Sequence, residues 1–161
     1  MKQATLCLLI KQNQNQKELL LAMKKRGFGM GKWNGVGGKF DPRKDKNINK
    51  TAIREVKEEI GVKVKKLEKV AVLSFYFSEQ PSFNQDVHIF LVNDWEGEPK
   101  ESEEMSPKWF KENEIPFGVM WPDDKFWLPK VLDAEKLVGD FFFKEGDLIE
   151  KYNIKIVKEF R

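Results

Sequence analysis

Residues 54–61 read Arg-Glu-Val-Lys-Glu-Glu-Ile-Gly, three glutamates in eight residues. No other stretch constrains the fold as much. Wound at about 100° per residue, Ala52, Ile53, Val56 and Ile60 fall in one arc, and Glu55, Glu58 and Glu59 fall in another. A helix over 51–61 therefore has one face to bury and one that repels itself. Like charges three or four residues apart on a helix cost roughly a few tenths of a kcal/mol per pair. Gly61 stands where a glycine ends such a helix. Two readings of the acids stand. The plain one is a solvated acidic face. The other is a divalent-cation site, since Mg²⁺ favours a few carboxylates together with water and phosphate oxygens.

Around this helix the chain reads mostly as strands. Thr5–Ile10 is a short apolar run of the buried-strand type, and the polar 12–16 reads as a hairpin loop. Residues 18–26 read as a second strand, with a helix as the competing reading. Six glycines in 27–40 rule out regular helix there, and 41–50 reads as a charged loop. Strands are predicted over 69–77 and 87–92, a turn over 93–99, and a strand end followed by a short turn over 106–116. A second helix is predicted within 123–138, with Pro129 starting its better half. The remainder alternates and closes in a hairpin around Glu145–Gly146–Asp147. No repeat or linker divides the chain, so a single mixed α/β domain over 1–161 is expected, with about two helices.

Composition excludes several classes. A net charge of +3 helps attract an anionic ligand but does not make a nucleic-acid or membrane surface. One cysteine, Cys7, allows no internal disulfide and fits a reducing compartment; it reads as buried and inert. No apolar run reaches the roughly 20 residues of a membrane span, and the N-terminal apolar stretch is too short for a signal peptide. The only histidine, His88, lies in a strand-like run and reads as a sheet residue, so no Ser-His-Asp arrangement can be built.

Preceded by Gly37 and Gly38, the run Arg54–Val62 resembles the Nudix box, G-x5-E-x7-R-E-U-x-E-E-x-G-U, where U is a bulky apolar residue. The second half fits at every specified position. The first half departs from the pattern. Between Gly38 and Arg54 there are two extra residues, and the loop glutamate is absent. Lys44 stands in its place counting forward and Lys46 counting back, with Asp45 between them as the substitute. The resemblance implies a Nudix fold, an α/β/α sandwich with a central mixed sheet. It also implies Mg²⁺, with Mn²⁺ as the alternative, held by Glu55, Glu58 and Glu59, with the backbone carbonyl of Gly38 as a further ligand. Arg54 would orient a glutamate by a charge-assisted hydrogen bond. Glu104 matches another acidic residue, for metal binding or base catalysis. The metal would activate water and neutralise a diphosphate.

Beyond the box, residues 23–39, 86–90, 101–110, 115–124 and 139–143 resemble, in the same order, the MutT-like branch of the family that hydrolyses oxidised purine nucleoside triphosphates. That implies a monomer with a small-molecule nucleotide partner, no stable nucleic-acid partner and no membrane. It also implies the cytoplasm, with nuclear or mitochondrial pools. Asn34 would meet the base edge, because an amide offers donor and acceptor. Asp123 and Asp124, side by side in an apolar pocket, would share a proton and read base edges in two protonation states. The plain alternative makes them a helix cap beside the dipole. Trp121, Phe28 and Phe75 would wall the base, although singly each aromatic reads as core. Thr5, Lys24, Gly37 and Gly38 take pocket positions, and Gln85 stands where methionine is usual. Two alternatives remain. One is a Nudix enzyme for a methylated purine nucleotide, a dinucleoside polyphosphate or a cap. The other is a weakly catalytic nucleotide- or RNA-binding module, motivated by the altered loop 41–50.

Overall fold

The fold is described from a computed structural model, over residues 1–160. β1 (Lys2–Asn13) returns as β2 (Gln16–Lys24) through a turn of only two residues, for which Gln14 takes φ 58°. β3 (Trp33–Asn34) is a short pairing inside the glycine-rich segment. Helix α1 (Ile48–Ile60) leads into the long β4 (Lys63–Phe77), and β5 (Gln85–Glu96) and β6 (Met105–Lys111) follow. Helix α2 (Asp124–Leu132) precedes β7 (Lys136–Lys144) and β8 (Leu148–Val157). The strands form one sheet in the order β3-β2-β1-β5-β4-β7-β8, with β6 also paired to β2. β1 with β5 and β4 with β7 run parallel and the other pairs antiparallel, so the sheet is mixed.

α1 starts three residues before the expected Thr51. The Asn47 side chain accepts the Lys50 N–H at 3.0 Å and so caps a longer helix. Gly61, at φ 72°, ends it by donating to the Lys57 carbonyl. Ala52, Val56 and Ile60 are buried against Cys7, Leu9, Phe90 and Val92 on one face of the sheet. On the opposite face Trp127, Leu128 and Val131 of α2 pack with Leu8, Leu73, Ile89 and Phe141. The sheet lies between two helices, and β1 is apolar throughout because both of its faces are covered.

The second helix differs from the reading of 123–138. Pro129 lies inside α2 instead of starting a better half, and the helix ends at Leu132. Only one intrahelical bond is lost to the proline, and burial of Trp127, Leu128 and Val131 outweighs it. Ala134, at φ 69°, then turns the chain into β7, four residues before the alternation was expected to begin. β5 runs on through Glu96, so the turn predicted over 93–99 begins only at Gly97. The expected hairpin at 145–147 forms with Gly146 and Asp147 at φ 73° and 61°. Among the described residues no helix is long and apolar enough to cross a membrane.

The site is positioned by the segment 35–40, which runs beside β1 through isolated bridges of Val36 to Cys7 and Lys39 to Ala4. It carries the glycines past the acidic face of α1.

Candidate active site

Arg54 organises the carboxylates around α1. Its Nε and Nη2 donate to the two oxygens of Asp45 at 2.7 and 2.8 Å. Its Nη1 donates to Glu55 at 2.9 Å and to Glu58 at 3.2 Å. Asp45 is buried and also accepts from the Thr51 hydroxyl and the Asp41 N–H. The Arg54 fork, above all, holds its carboxyl well below the usual carboxylate range, and Asp45 in turn raises Arg54. The loop read as merely charged is thus anchored at its centre. Asp45 reaches Arg54 across the lengthened loop, where the pattern calls for a glutamate.

The three glutamates do not behave alike. Glu55 and Glu58 are drawn to Arg54, whereas Glu59 turns into a cavity, with Oε2 buried and without a hydrogen-bond partner. Burial first, then the charges of Glu55 and Glu104, push the Glu59 pKa up to about 8. Lys24, on the cavity wall, acts in the opposite direction. Glu104 itself accepts from Arg26 Nη2 at 3.1 Å. Gly38 packs directly on Glu55: a β-carbon there would lie 2.6 Å from each carboxylate oxygen. The same atom at Gly37 would strike the Thr5 carbonyl. At Gly37 the obstacle is backbone, so only glycine allows the approach; at Gly38 a side chain would have to push the Glu55 carboxylate aside.

The Gly38 carbonyl is not the free ligand that was expected. It accepts the Thr5 N–H at 2.9 Å and the Thr5 hydroxyl at 3.2 Å, which takes up both lone pairs. The Val36 carbonyl also faces β1, through Cys7. Successive carbonyls of an extended segment alternate in direction, so that of Gly37 faces the other way. Among the described residues no three acidic, histidine or cysteine side chains converge as a closed metal cage. A hard divalent ion does not need one, because it completes its shell with water and phosphate. The unpartnered buried oxygen of Glu59, under the charges of Glu55 and Glu104, fits such an ion.

The cavity measures about 450 Å³ and joins the α1 side to the α2 side. Thr5, Lys24, Phe28, Asn34, Gly37, Gly38, Phe75, Gln85, Trp121, Asp123 and Asp124 all line it. Of the acids expected around the metal only Glu59 does; Glu55, Glu58 and Glu104 are not part of the lining, nor is Arg54. Asp123 and Asp124 are buried. Asp123 Oδ2 accepts the Trp127 indole N–H at 2.7 Å, and Asp124 Oδ2 has no partner. Burial raises Asp123 to about 6. It raises Asp124 well above the usual range, reinforced by the neighbouring Asp123 charge. Burial and mutual repulsion therefore both favour a shared proton on the pair. Neither acts as the cap of the plain reading: Asp123 precedes α2 in a helical conformation and makes no capping bond.

Asn34 accepts the Gly35 N–H with Oδ1 at 2.9 Å, so its amide offers the cavity chiefly its two N–H donors. Phe28 lies 5.0 Å from Trp121, and Phe75 stacks on Phe141 at 5.6 Å. The Lys32 ammonium sits 4.7 Å over the Trp121 ring and 3.6 Å from Asp147. His88 pairs with Gln3 across the sheet, away from the cavity lining. Burial raises the Cys7 thiol to about 12.

Residues 1–131 match the NUDIX domain family. The chain belongs to the Nudix family. This Nudix chain is 46% identical over 142 residues to the oxidized purine nucleoside triphosphate hydrolase of Mus musculus, covering 88% of the chain and 89% of that protein. It is 43% identical over 141 residues to the protein of the same name from Danio rerio, covering 88% of each. The crystal structure of the mutator MutT protein from Bacillus halodurans superposes with a TM-score of 0.79 at 28% identity, over 96% of this chain and 98% of that one. The Nudix sandwich is therefore the fold. Nudix hydrolases generally need a divalent metal, in keeping with the Glu59 group.

Sequence reading missed part of this Nudix cavity. Phe77, Phe83 and Phe143 line it, as does Lys32. Phe143 comes from β7, beyond the residues matched to the family. None belongs to a spaced motif. Lys32 lies within the resemblance at 23–39, which was the only signal available for it.

Proposed function

We propose that this enzyme hydrolyses oxidised purine nucleoside triphosphates, such as 8-oxo-dGTP and 2-oxo-dATP, to the monophosphate and pyrophosphate, with Mg²⁺ as its metal. The observation that carries this reading is the buried Asp123–Asp124 pair, one oxygen held by Trp127 and one unpartnered, inside an aromatic cavity that also contains Glu59. Protonated Asp124 donates to a purine oxygen, and ionised Asp123 accepts from a ring or amino N–H. The Asn34 amide donates to a second oxygen. An oxidised purine presents both an added carbonyl and a relocated N–H. The names of the mouse and zebrafish relatives support the same substrate class.

Glu55, Glu59 and Glu104, with the Gly37 carbonyl and Glu58 at the margin, would hold the metal. When bound, Mg²⁺ neutralises the diphosphate and lowers the pKa of a water. Arg54 fixes Glu55 and Glu58 from behind. Lys24 offers its charge to the phosphates from the cavity wall. Where it does not hold the metal, Glu104, steadied by Arg26, would take the proton of the attacking water. Phe28, Trp121 and Phe75 exclude solvent from the base.

The whole chain forms one unit in this reading, and one copy suffices. β7 and β8 extend the same sheet beyond the family match, and Phe143 completes the cavity. A lone, buried Cys7 is in keeping with the cytoplasm. The test is pyrophosphate release with Mg²⁺ from 8-oxo-dGTP, 2-oxo-dATP and dGTP at equal low concentration. Faster turnover of an oxidised nucleotide than of dGTP is expected. Turnover of none of them overturns the reading.

A further inference from the structure

We infer that Phe83 is a positioning residue for base binding, fixing Phe28 over the cavity by stacking on its ring. The two rings lie 4.4 Å apart at 12°, the closest and most parallel contact that Phe28 makes. Phe77 meets Phe28 edge-on at 5.9 Å, and Trp121 lies tilted at 5.0 Å.

The two partners are mounted differently. Phe28 sits between Gly27 and Gly29, both at positive φ, with Gly31 following in the same state. Its backbone is held by turn bonds, Met30 N–H to the Gly27 carbonyl at 3.1 Å and Gly31 N–H to that of Lys24 at 2.9 Å, but glycines on both sides give its ring no neighbouring side chain to lean on. Its ring is 39% exposed, the sole large apolar side chain of the cavity lining to be so open. Phe83 lies on a one-turn 3₁₀ segment, Pro81–Phe83, that begins with a proline. Phe83 N–H donates to the Gln80 carbonyl, and Asn84 N–H to that of Pro81, both at 3.0 Å. The Asn84 side chain accepts the Phe77 N–H at 2.6 Å and ties the segment to the end of β4. A less exposed ring thus stacks on and holds a half-open one. With Phe83 in place, Phe28 is ordered before the base arrives, so less conformational freedom is lost on binding.

This inference rests on the proposed binding of a purine base in the cavity. Two readouts separate the two claims. One is the Kd of 8-oxo-dGMP without metal, from tryptophan fluorescence, which Trp121 beside Phe28 should report. The other is the steady-state rate with 8-oxo-dGTP and Mg²⁺. Phe83→Ala is expected to raise both Kd and KM about tenfold, on the scale of one aromatic pair, with kcat unchanged. Phe83→Tyr should restore both. Phe28→Ala combined with Phe83→Ala should be no weaker than Phe28→Ala alone, because Phe83 acts through Phe28. Equal Kd in wild type and Phe83→Ala overturns the inference, as does a lower kcat at unchanged KM, or independent effects in the double variant. Wild-type protein that binds 8-oxo-dGMP but turns over no oxidised triphosphate overturns the functional reading alone, and the Kd comparison still decides on Phe83. Wild-type protein that does not bind 8-oxo-dGMP overturns both.

Discussion

The two sides of the cavity bury acids in comparable ways and resolve them differently. On the α1 side, burial and two neighbouring negative charges raise Glu59, and no donor reaches its inner oxygen. On the α2 side, burial raises Asp123 and Asp124, but the Trp127 indole donates to Asp123. With a donor for one carboxylate, the pair can settle its repulsion by keeping a proton on the other. With like charges from its own helix and from Glu104, and no donor at its inner oxygen, Glu59 is suited to a cation. In the proposed function the same electrostatic problem gives a base reader on one side and a metal site on the other, and the difference between the two sides is which hydrogen-bond donors the fold supplies.

The largest effect should come from disarming the α1 side. Glu59→Gln is expected to lower kcat by roughly a thousandfold, while the Kd of 8-oxo-dGMP measured without metal stays within about twofold. Glu58→Gln, on the Arg54 side of the helix, should cost less, about tenfold to a hundredfold. A near-wild-type rate in Glu59→Gln would remove the distinction between the two sides. Asp45→Ala comes next and is read as stability. It leaves Arg54 without its bidentate partner, at a cost of about 3 kcal/mol, which thermal unfolding should show as a loss of roughly 10 °C. An unchanged melting temperature would mean that the long loop needs no anchor.

Asp123→Asn should follow, with kcat/KM for 8-oxo-dGTP falling about a hundredfold, mostly through KM. An amide preserves the shape but turns an acceptor into a donor, so the loss should be borne by base binding. A fall in kcat at constant KM would show that the two sides are not separable.

How much of this was legible in the sequence follows the same divide. The α1 side is local: Arg54, Glu55, Glu58 and Glu59 share one helix, whose spacing gave the helix, while only the resemblance to the family gave the chemistry proposed for it. Asp45 was noticed only as a loop acid between Lys44 and Lys46. Its bond to Arg54 depends on how ten loop residues fold, which no periodicity encodes. The α2 side gathers Asn34, Phe83, Asp123 and Phe143 from four distant segments, so only resemblance over the whole chain could reach some of them. Phe83 escaped because an aromatic at the end of a short turn has no spacing to match. Pro129 misled because helix propensity counts the lost bond but not the burial of Trp127, Leu128 and Val131. The Gly38 carbonyl misled because backbone direction depends on the pairing with β1, which is a tertiary fact.

The smallest effect is one of pH, and it separates the two sides by proton and by cation. Asp123 and Asp124 are raised in the folded protein above the ordinary carboxylate value, so the folded state binds more protons than the unfolded chain. Stability is then greatest below about pH 4, where both states are protonated, and falls as pH rises. The fall continues for as long as the pair still holds a proton in the folded protein. Asp124→Asn keeps a donor toward Asp123 and cannot ionise. It should match wild type in melting temperature near pH 4.5 and exceed it by roughly 5 °C at pH 8, with EDTA present. Glu59, raised to about 8, adds a slope of the same sign to both proteins. Saturating Mg²⁺ should abolish the Glu59 part and leave the difference between wild type and Asp124→Asn intact. If Mg²⁺ erased that difference as well, the proton on Asp124 and the cation at Glu59 would be answers to one shared charge, and the two sides of the cavity would have to be treated as a single titrating site.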